Sequence, residues 1–181
     1  MINNENPVRL TPSMLPNSPN FDVKDSSFFR QWHELPSPEE VRAQAERQCL
    51  AGASPGHRKS CSMPYLRPPP VVFEDMNLFV KWGSGVRISE ALGLFAVGRF
   101  LDGRVPVPEV YGWRTDADQI YMYMEHVQGQ TLEQAWDTME PSERVTICSE
   151  LKKISINLRR LQQDPSDAFV GKYIESRLLT S

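Results

Sequence analysis

Leu78-Phe79-Val80-Lys81-Trp82-Gly83-Ser84-Gly85-Val86-Arg87-Ile88-Ser89-Glu90 is the stretch that decides the reading of this chain. Leu78 to Trp82 is apolar except for Lys81 and reads as a strand. The small residues Gly83, Ser84 and Gly85 break it, and residues 87–101 read as a helix. At 100° per residue, Glu90, Leu94, Val97 and Leu101 fall on one helical face. Ile88, Leu92 and Phe95 form a second apolar face, so the spacing predicts a helix packed on two sides. A carboxylate heading a buried stripe needs a cation or hydrogen-bond donors, since leaving it unpaired costs on the order of 3–5 kcal/mol. Lys81 is the cation at hand. Each residue alone has an ordinary explanation: the macrodipole favours Glu in a first helical turn, and Lys often blunts a strand edge. Together, in this order and across a glycine loop, they point to an ion pair between strand and helix.

Outward from this stretch, Val71-Val72-Phe73 reads as a strand joined to Leu78–Trp82 by a turn at Glu74-Asp75-Met76-Asn77. Glu109–Trp113 and Ile120–Glu125 read as a hairpin around Thr115-Asp116-Ala117-Asp118. Thr131 and Gln134 form a capping box that opens a short helix, and a long helix is expected from Pro141 to about Gln163. The order strand, strand, helix, strand, strand, helix, helix is an α+β pattern rather than a repeating βαβ one. Eleven of the 15 prolines lie in the first 70 residues, a density that prevents long ladders. Residues 1–36 are therefore expected to be a disordered leader. Residues 37–67 read as a short helix and a Pro/Gly-rich linker, the helix opened by Ser37-Pro38-Glu39-Glu40. Its thin apolar stripe of Val41, Ala45 and Cys49 predicts that it docks on something larger.

Composition narrows the function classes. The 181 residues are 40% hydrophobic and 24% charged, enough to build a core. With 20 Lys+Arg against 23 Asp+Glu the net charge is −3, which argues against a nucleic-acid partner held by a basic surface. The first residues show no signal peptide, and no run approaches the ~20 apolar residues that span a bilayer. No membrane association is expected. Cys49, Cys61 and Cys148 are an odd number without a CxxC, which fits reduced thiols and a cytoplasmic location. Cys49, His57 and Cys61 are too irregular in spacing for a metal site, and no metal ligand is assigned. His57-Arg58-Lys59 reads as a solvated basic cluster.

A strand Lys held by a Glu of the next helix is the nucleotide-gripping pair of the kinase fold, where the Lys contacts the α- and β-phosphates. The chain has further segments of that kind: Ile88-Ser89-Glu90-Ala91, then Val105-Pro106-Val107-Pro108-Glu109-Val110-Tyr111-Gly112-Trp113, then Tyr121-Met122-Tyr123-Met124-Glu125-His126-Val127-Gln128-Gly129-Gln130-Thr131-Leu132. Taken with Leu78–Gly83, they resemble the aminoglycoside phosphotransferase/choline kinase-like family, in particular uncharacterised members of its fungal branch. The likeness covers about residues 30–170 and is specific in the order and spacing of its motifs. It implies a protein-kinase-like N-terminal lobe with its hinge over residues 68–129, then the first helices of a helical C-lobe over residues 130–171. It also implies ATP and Mg²⁺ as cofactors and transfer of the γ-phosphate to the hydroxyl of a small-molecule acceptor. In that scheme Lys81 holds phosphates and Glu90 orients it. Met124 stands at the back of the pocket, and the carbonyl of Glu125 and the N–H of Val127 face adenine.

The catalytic half of such a kinase needs an H-G-D type motif and a downstream Asp for Mg²⁺. No Asp stands two residues after His33, His57 or His126, and beyond the hinge only Asp137, Asp164 and Asp167 remain. No catalytic residue is assigned, and no glycine-rich phosphate loop is seen between Val71 and Val80. The chain is expected to be inactive alone; the competing reading is a non-catalytic, pseudokinase-like fragment that binds a nucleotide or a protein. Ile147, Leu151, Ile154, Leu158 and Leu161 form one stripe along the long helix, so an exposed apolar face and self-association through helix 141–163 are expected. Residues 172–181 resemble nothing in the family. Gly171-Lys172-Tyr173 can be encoded as GGT-AAG-TAT, which contains the form of an intron 5′ splice donor, so translated intron is expected there, with a genuine short tail as the competing reading.

Overall fold

The computed structural model describes residues 7–52 and 68–167. Among them the strands are β1 (Val8–Leu10), β2 (Phe21–Asp22), β3 (Val71–Phe73), β4 (Leu78–Gly83), β5 (Val110–Asp116), β6 (Gln119–Glu125) and β7 (Leu161–Gln163). The helices are α1 (Pro38–Gly52), α2 (Ile88–Phe100), α3 (Leu132–Ala135) and α4 (Pro141–Leu158). The fold is α+β, with a small antiparallel sheet and four α-helices. The chain divides into two compact units. One comprises Pro16–Leu94 and Pro108–His126; the other comprises Met1–Leu15, Phe95–Val107 and Val127–Ser181.

The first unit is built on a five-stranded sheet in the order β2-β5-β6-β4-β3. Strand residues alternate between faces, and directly opposed residues share a face. Val80 faces Tyr123 across the β4–β6 ladder, and Lys81 faces Met122. Leu78, Val80, Tyr121 and Tyr123 therefore form an apolar face, packed with Phe28, Leu35, Val41, Val71 and Tyr111 in one buried cluster. Helix α1 supplies Val41 and Ala45 to that cluster, as its thin stripe predicts. Its start is the expected capping box: the Ser37 amide donates to the Glu40 carboxylate at 2.7 Å, and the Glu40 amide donates to Ser37 Oγ at 3.2 Å. The side-chain amides of Gln44 and Gln48 donate to the Val72 carbonyl at 3.2 and 3.1 Å, and Gln48 Oε1 accepts from the Val72 amide. Helix side chains thus satisfy backbone groups on the open edge of β3.

Residues 7–36 depart from the expectation of a disordered leader. Asp22 lies opposite Gly112 and Phe21 opposite Trp113, which places β2 on the β5 edge. The Trp113 indole donates to the Ser18 carbonyl at 2.8 Å, and the Thr115 amide donates to Asn20 Oδ1 at 2.8 Å. Arg114 pairs with the Asp22 carboxylate. Burial pushes that carboxyl up, but hydrogen bonds from Lys24 and Arg114 outweigh it and hold Asp22 below its ordinary range. The prolines here bound short elements instead of forbidding structure, and Phe28 and Leu35 carry the segment into the core. Gly112 is required by close approach, because a Cβ there would press on the Phe21 carbonyl oxygen and on Leu35 Cδ1.

In the second unit, β1 and β7 pair in parallel, with Val8 opposite Leu161 and Leu10 opposite Gln163. The long helix therefore stops at Leu158 rather than continuing to Gln163. Its next residues turn and enter a ladder whose other strand is β1, and the Val8 amide donates to the Arg160 carbonyl at 2.8 Å. Helix α3 opens with the Thr131–Gln134 capping box read from the sequence. Cys148 is free and exposed. His57, Cys61 and residues 168–181, with the readings placed on them, lie outside the described residues. No helix among the described residues is long and apolar enough to cross a membrane.

Two substitutions test this account of the N-terminal segment. Phe28→Ala is expected to cost about 3–5 kcal/mol in guanidinium unfolding, where a loose leader would give a change near zero. Gly112→Ala should detach β2 from β5, read as faster hydrogen exchange at the amides of Val23 and Thr115, which are tied across these two segments.

Candidate functional site

Strand β4 carries its two kinds of residue to two environments. Leu78 and Val80 enter the core, while Phe79 and Lys81 project from the opposite face. There the Lys81 ammonium donates to the Glu90 carboxylate from the first turn of α2. The two side chains keep 33% and 30% of their exposure, so this is a half-open pair. Its net worth is closer to the ~1 kcal/mol or less of a surface pair than to a buried one. Gly83, with φ 120°, lets the chain leave β4 in a conformation that side chains disfavour. The Val86 amide then donates back to the Gly83 carbonyl at 3.2 Å. In the same unit Val86, Ala91 and Leu92 are buried, which anchors the start of α2 and with it Glu90.

Of the residues singled out from the sequence, Lys81 and Glu90 are in contact. Met124 joins them on the same sheet face: it lies opposite Phe79, one strand over and two residues along from Lys81, and it is buried. Glu125 ends β6 opposite Leu78. Its amide donates to the Glu109 carbonyl at 2.8 Å, and its carboxylate accepts from the Glu109 amide at 3.3 Å. Val127 belongs to the other unit and is exposed.

The glycine-free turn at Glu74–Asn77 takes on a different meaning once the register is known. Leu78 faces Glu125, and the His126 amide donates to the Asn77 carbonyl at 3.1 Å, so this turn sits at the end of the sheet where the linker begins. Lys81 lies about 10 Å further along the strand. A turn at that distance and end is not where phosphates held by Lys81 would be covered, so its lack of glycine says nothing about a phosphate grip.

Two contacts around the linker had no sequence signal. The Phe79 ring stacks with His126, centroids 6.2 Å apart, on the face that bears Lys81. Ser27, 82 residues upstream in sequence, donates through its amide at 3.1 Å and through its hydroxyl to the Glu109 carboxylate. Separations this long leave no local pattern to read. Tyr123, whose hydroxyl is buried without a hydrogen-bond partner and whose pKa is driven up by burial, lies on the opposite face and takes no part in this arrangement.

Chemically, a half-exposed ammonium oriented by a carboxylate can hold an anionic oxygen. Among the described residues no group of three or more His, Cys, Asp or Glu is placed to hold a metal ion. No family model, curated protein or solved structure matches the chain. Because the pair is half-open, Lys81→Met is expected to change thermal stability by about 1 kcal/mol or less. A loss of several kcal/mol would make the pair a structural support instead of a site.

Proposed function

We propose that the unit of Pro16–Leu94 and Pro108–His126 is the nucleotide-binding lobe of a kinase-like phosphotransferase of the aminoglycoside phosphotransferase/choline kinase-like type. The observation that carries this reading is the Lys81–Glu90 pair, formed between an inner strand and the next helix. Strand β6, which runs into the Glu125–Val127 linker, is the direct neighbour of the Lys81 strand, so phosphate and adenine contacts would open from one strand pair. Lys81 would hold the ATP phosphates and Glu90 would orient it. Met124 would close the back of the pocket, with the Glu125 carbonyl and the Val127 N–H on the adenine edge. The family reaction would pass the γ-phosphate to a small-molecule hydroxyl.

Binding without transfer is the expected behaviour of this chain. No Asp follows any of its three histidines at the spacing of an H-G-D motif. The same observation favours the second reading, a pseudokinase-like module that binds a nucleotide or a protein and performs no chemistry.

Calorimetry with ATP, beside a Mg²⁺–ATP turnover assay, tests both. Lys81→Ala should weaken ATP binding about tenfold or more with the far-UV spectrum unchanged, and Glu90→Gln should weaken it less. Equal binding by wild type and Lys81→Ala, or none by wild type, removes the nucleotide site. Turnover would overturn the non-catalytic expectation.

A further inference from the structure

Past the end of β6 the ladder with β4 continues for one more bond. Glu125 lies opposite Leu78, and the His126 amide donates to the Asn77 carbonyl at 3.1 Å. That step sets His126 diagonally across from Phe79, whose directly opposed residue is Met124. Diagonal neighbours on one face sit about 7–8 Å apart, within reach of aromatic side chains. The two rings meet accordingly, with centroids 6.2 Å apart and planes 21° from parallel. Both are half-buried, and Met122 and Met124 beside them are buried.

The register therefore sets Lys81, Phe79 and His126 in a row on one face, all within the same compact unit. Lys81 stands about 7 Å from Phe79 along the strand. A ligand with its anionic end on Lys81 and its planar base against the Glu125 carbonyl must cross Phe79. The face that this ring would offer to the base is already taken by the His126 imidazole. Base and imidazole compete for one ring, and an aromatic pair of this kind is worth a factor of about two to ten in an equilibrium constant.

We propose that the Phe79–His126 stack is an autoinhibitory contact that keeps the base end of this site shut until the His126 ring turns away. The contact rests on the nucleotide reading of the Lys81 face and adds to it a cost of opening at the base end alone. Turning the ring is a side-chain rotation, so the His126 amide keeps its bond to Asn77 and the Lys81–Glu90 pair is undisturbed. A phosphate compound without a base does not meet this cost.

Calorimetry on the full chain with ATP and with tripolyphosphate tests it. His126→Ala should bind ATP about two- to tenfold tighter than wild type and tripolyphosphate equally well. His126→Phe, which keeps a stacked ring, should gain nothing. Proton NMR reads the contact directly: the Phe79 ring current should shift the His126 Cε1 proton upfield in the empty chain, and Phe79→Leu should abolish that shift. ATP should move the signal back to its ordinary position, and tripolyphosphate should leave it upfield. A signal that stays upfield with ATP bound, or His126→Ala binding ATP no tighter than wild type, overturns the autoinhibitory contact and leaves the nucleotide reading standing. A signal at its ordinary position in the empty chain overturns the contact as well. Absence of ATP binding by both wild type and His126→Ala overturns the nucleotide reading itself, and the contact with it.

Discussion

The Lys81–Glu90 ion pair joins an inner strand of the sheet to α2, and it forms because β4 serves two environments at once. Its alternate residues Leu78 and Val80 must be dry, which fixes the rotation of the strand about its axis. That rotation turns Lys81 to the other face. A one-residue slip would put the ammonium into the core at a cost of several kcal/mol and turn Val80 out. The apolar core and the charged pair are therefore two consequences of one register, and neither can be shifted without the other.

Keeping that register requires both edges of the sheet to be managed. On one side the glutamines of α1 occupy the backbone of β3. On the other, β2 adds a short strand to β5 and its flanks add side-chain bonds to Trp113, Arg114 and Thr115. Both devices come from the N-terminal segment, far from the strands they protect. The same segment sends Phe28 and Leu35 into the cluster beneath Tyr111 and Tyr123, so edge protection and core filling are supplied together. Ser27 adds a tie to Glu109, whose backbone bonds the last residue of β6, so the start of the linker is steadied from the same source.

The second unit follows a different logic. Its two-stranded ladder is short and its long helix keeps no buried residue, so local devices carry much of its order. The capping boxes at Thr131 and Glu140 each satisfy two amide donors at a helix start. An Asn157 side-chain bond to the Arg104 carbonyl fixes the far end of α4. Such contacts orient a helix but bury little of it.

Local periodicity was enough to read most elements of the sheet and helices from the sequence. The apolar run Leu78–Trp82, the alternation in Ile120–Glu125, and the capping residues Ser37, Thr131 and Gln134 act within a few positions of one another, so their meaning survives without the fold. The candidate pair was legible for the same reason, because Lys81 and Glu90 are nine residues apart across one loop. What the sequence could not determine was anything set by contact between distant segments. β1, β2 and β7 are two or three residues long, too short for a periodic signal, and exist only because another strand lies beside them. The proline-rich start therefore read as a leader, although its aromatic and aliphatic residues complete the core. The end of α4 at Leu158 was decided in the same way, by a ladder with Val8–Leu10 that no property of residues 141–163 announces. Hydrogen-bond ladders are satisfied pairwise, and a chain carries local evidence only for pairs that are close along it.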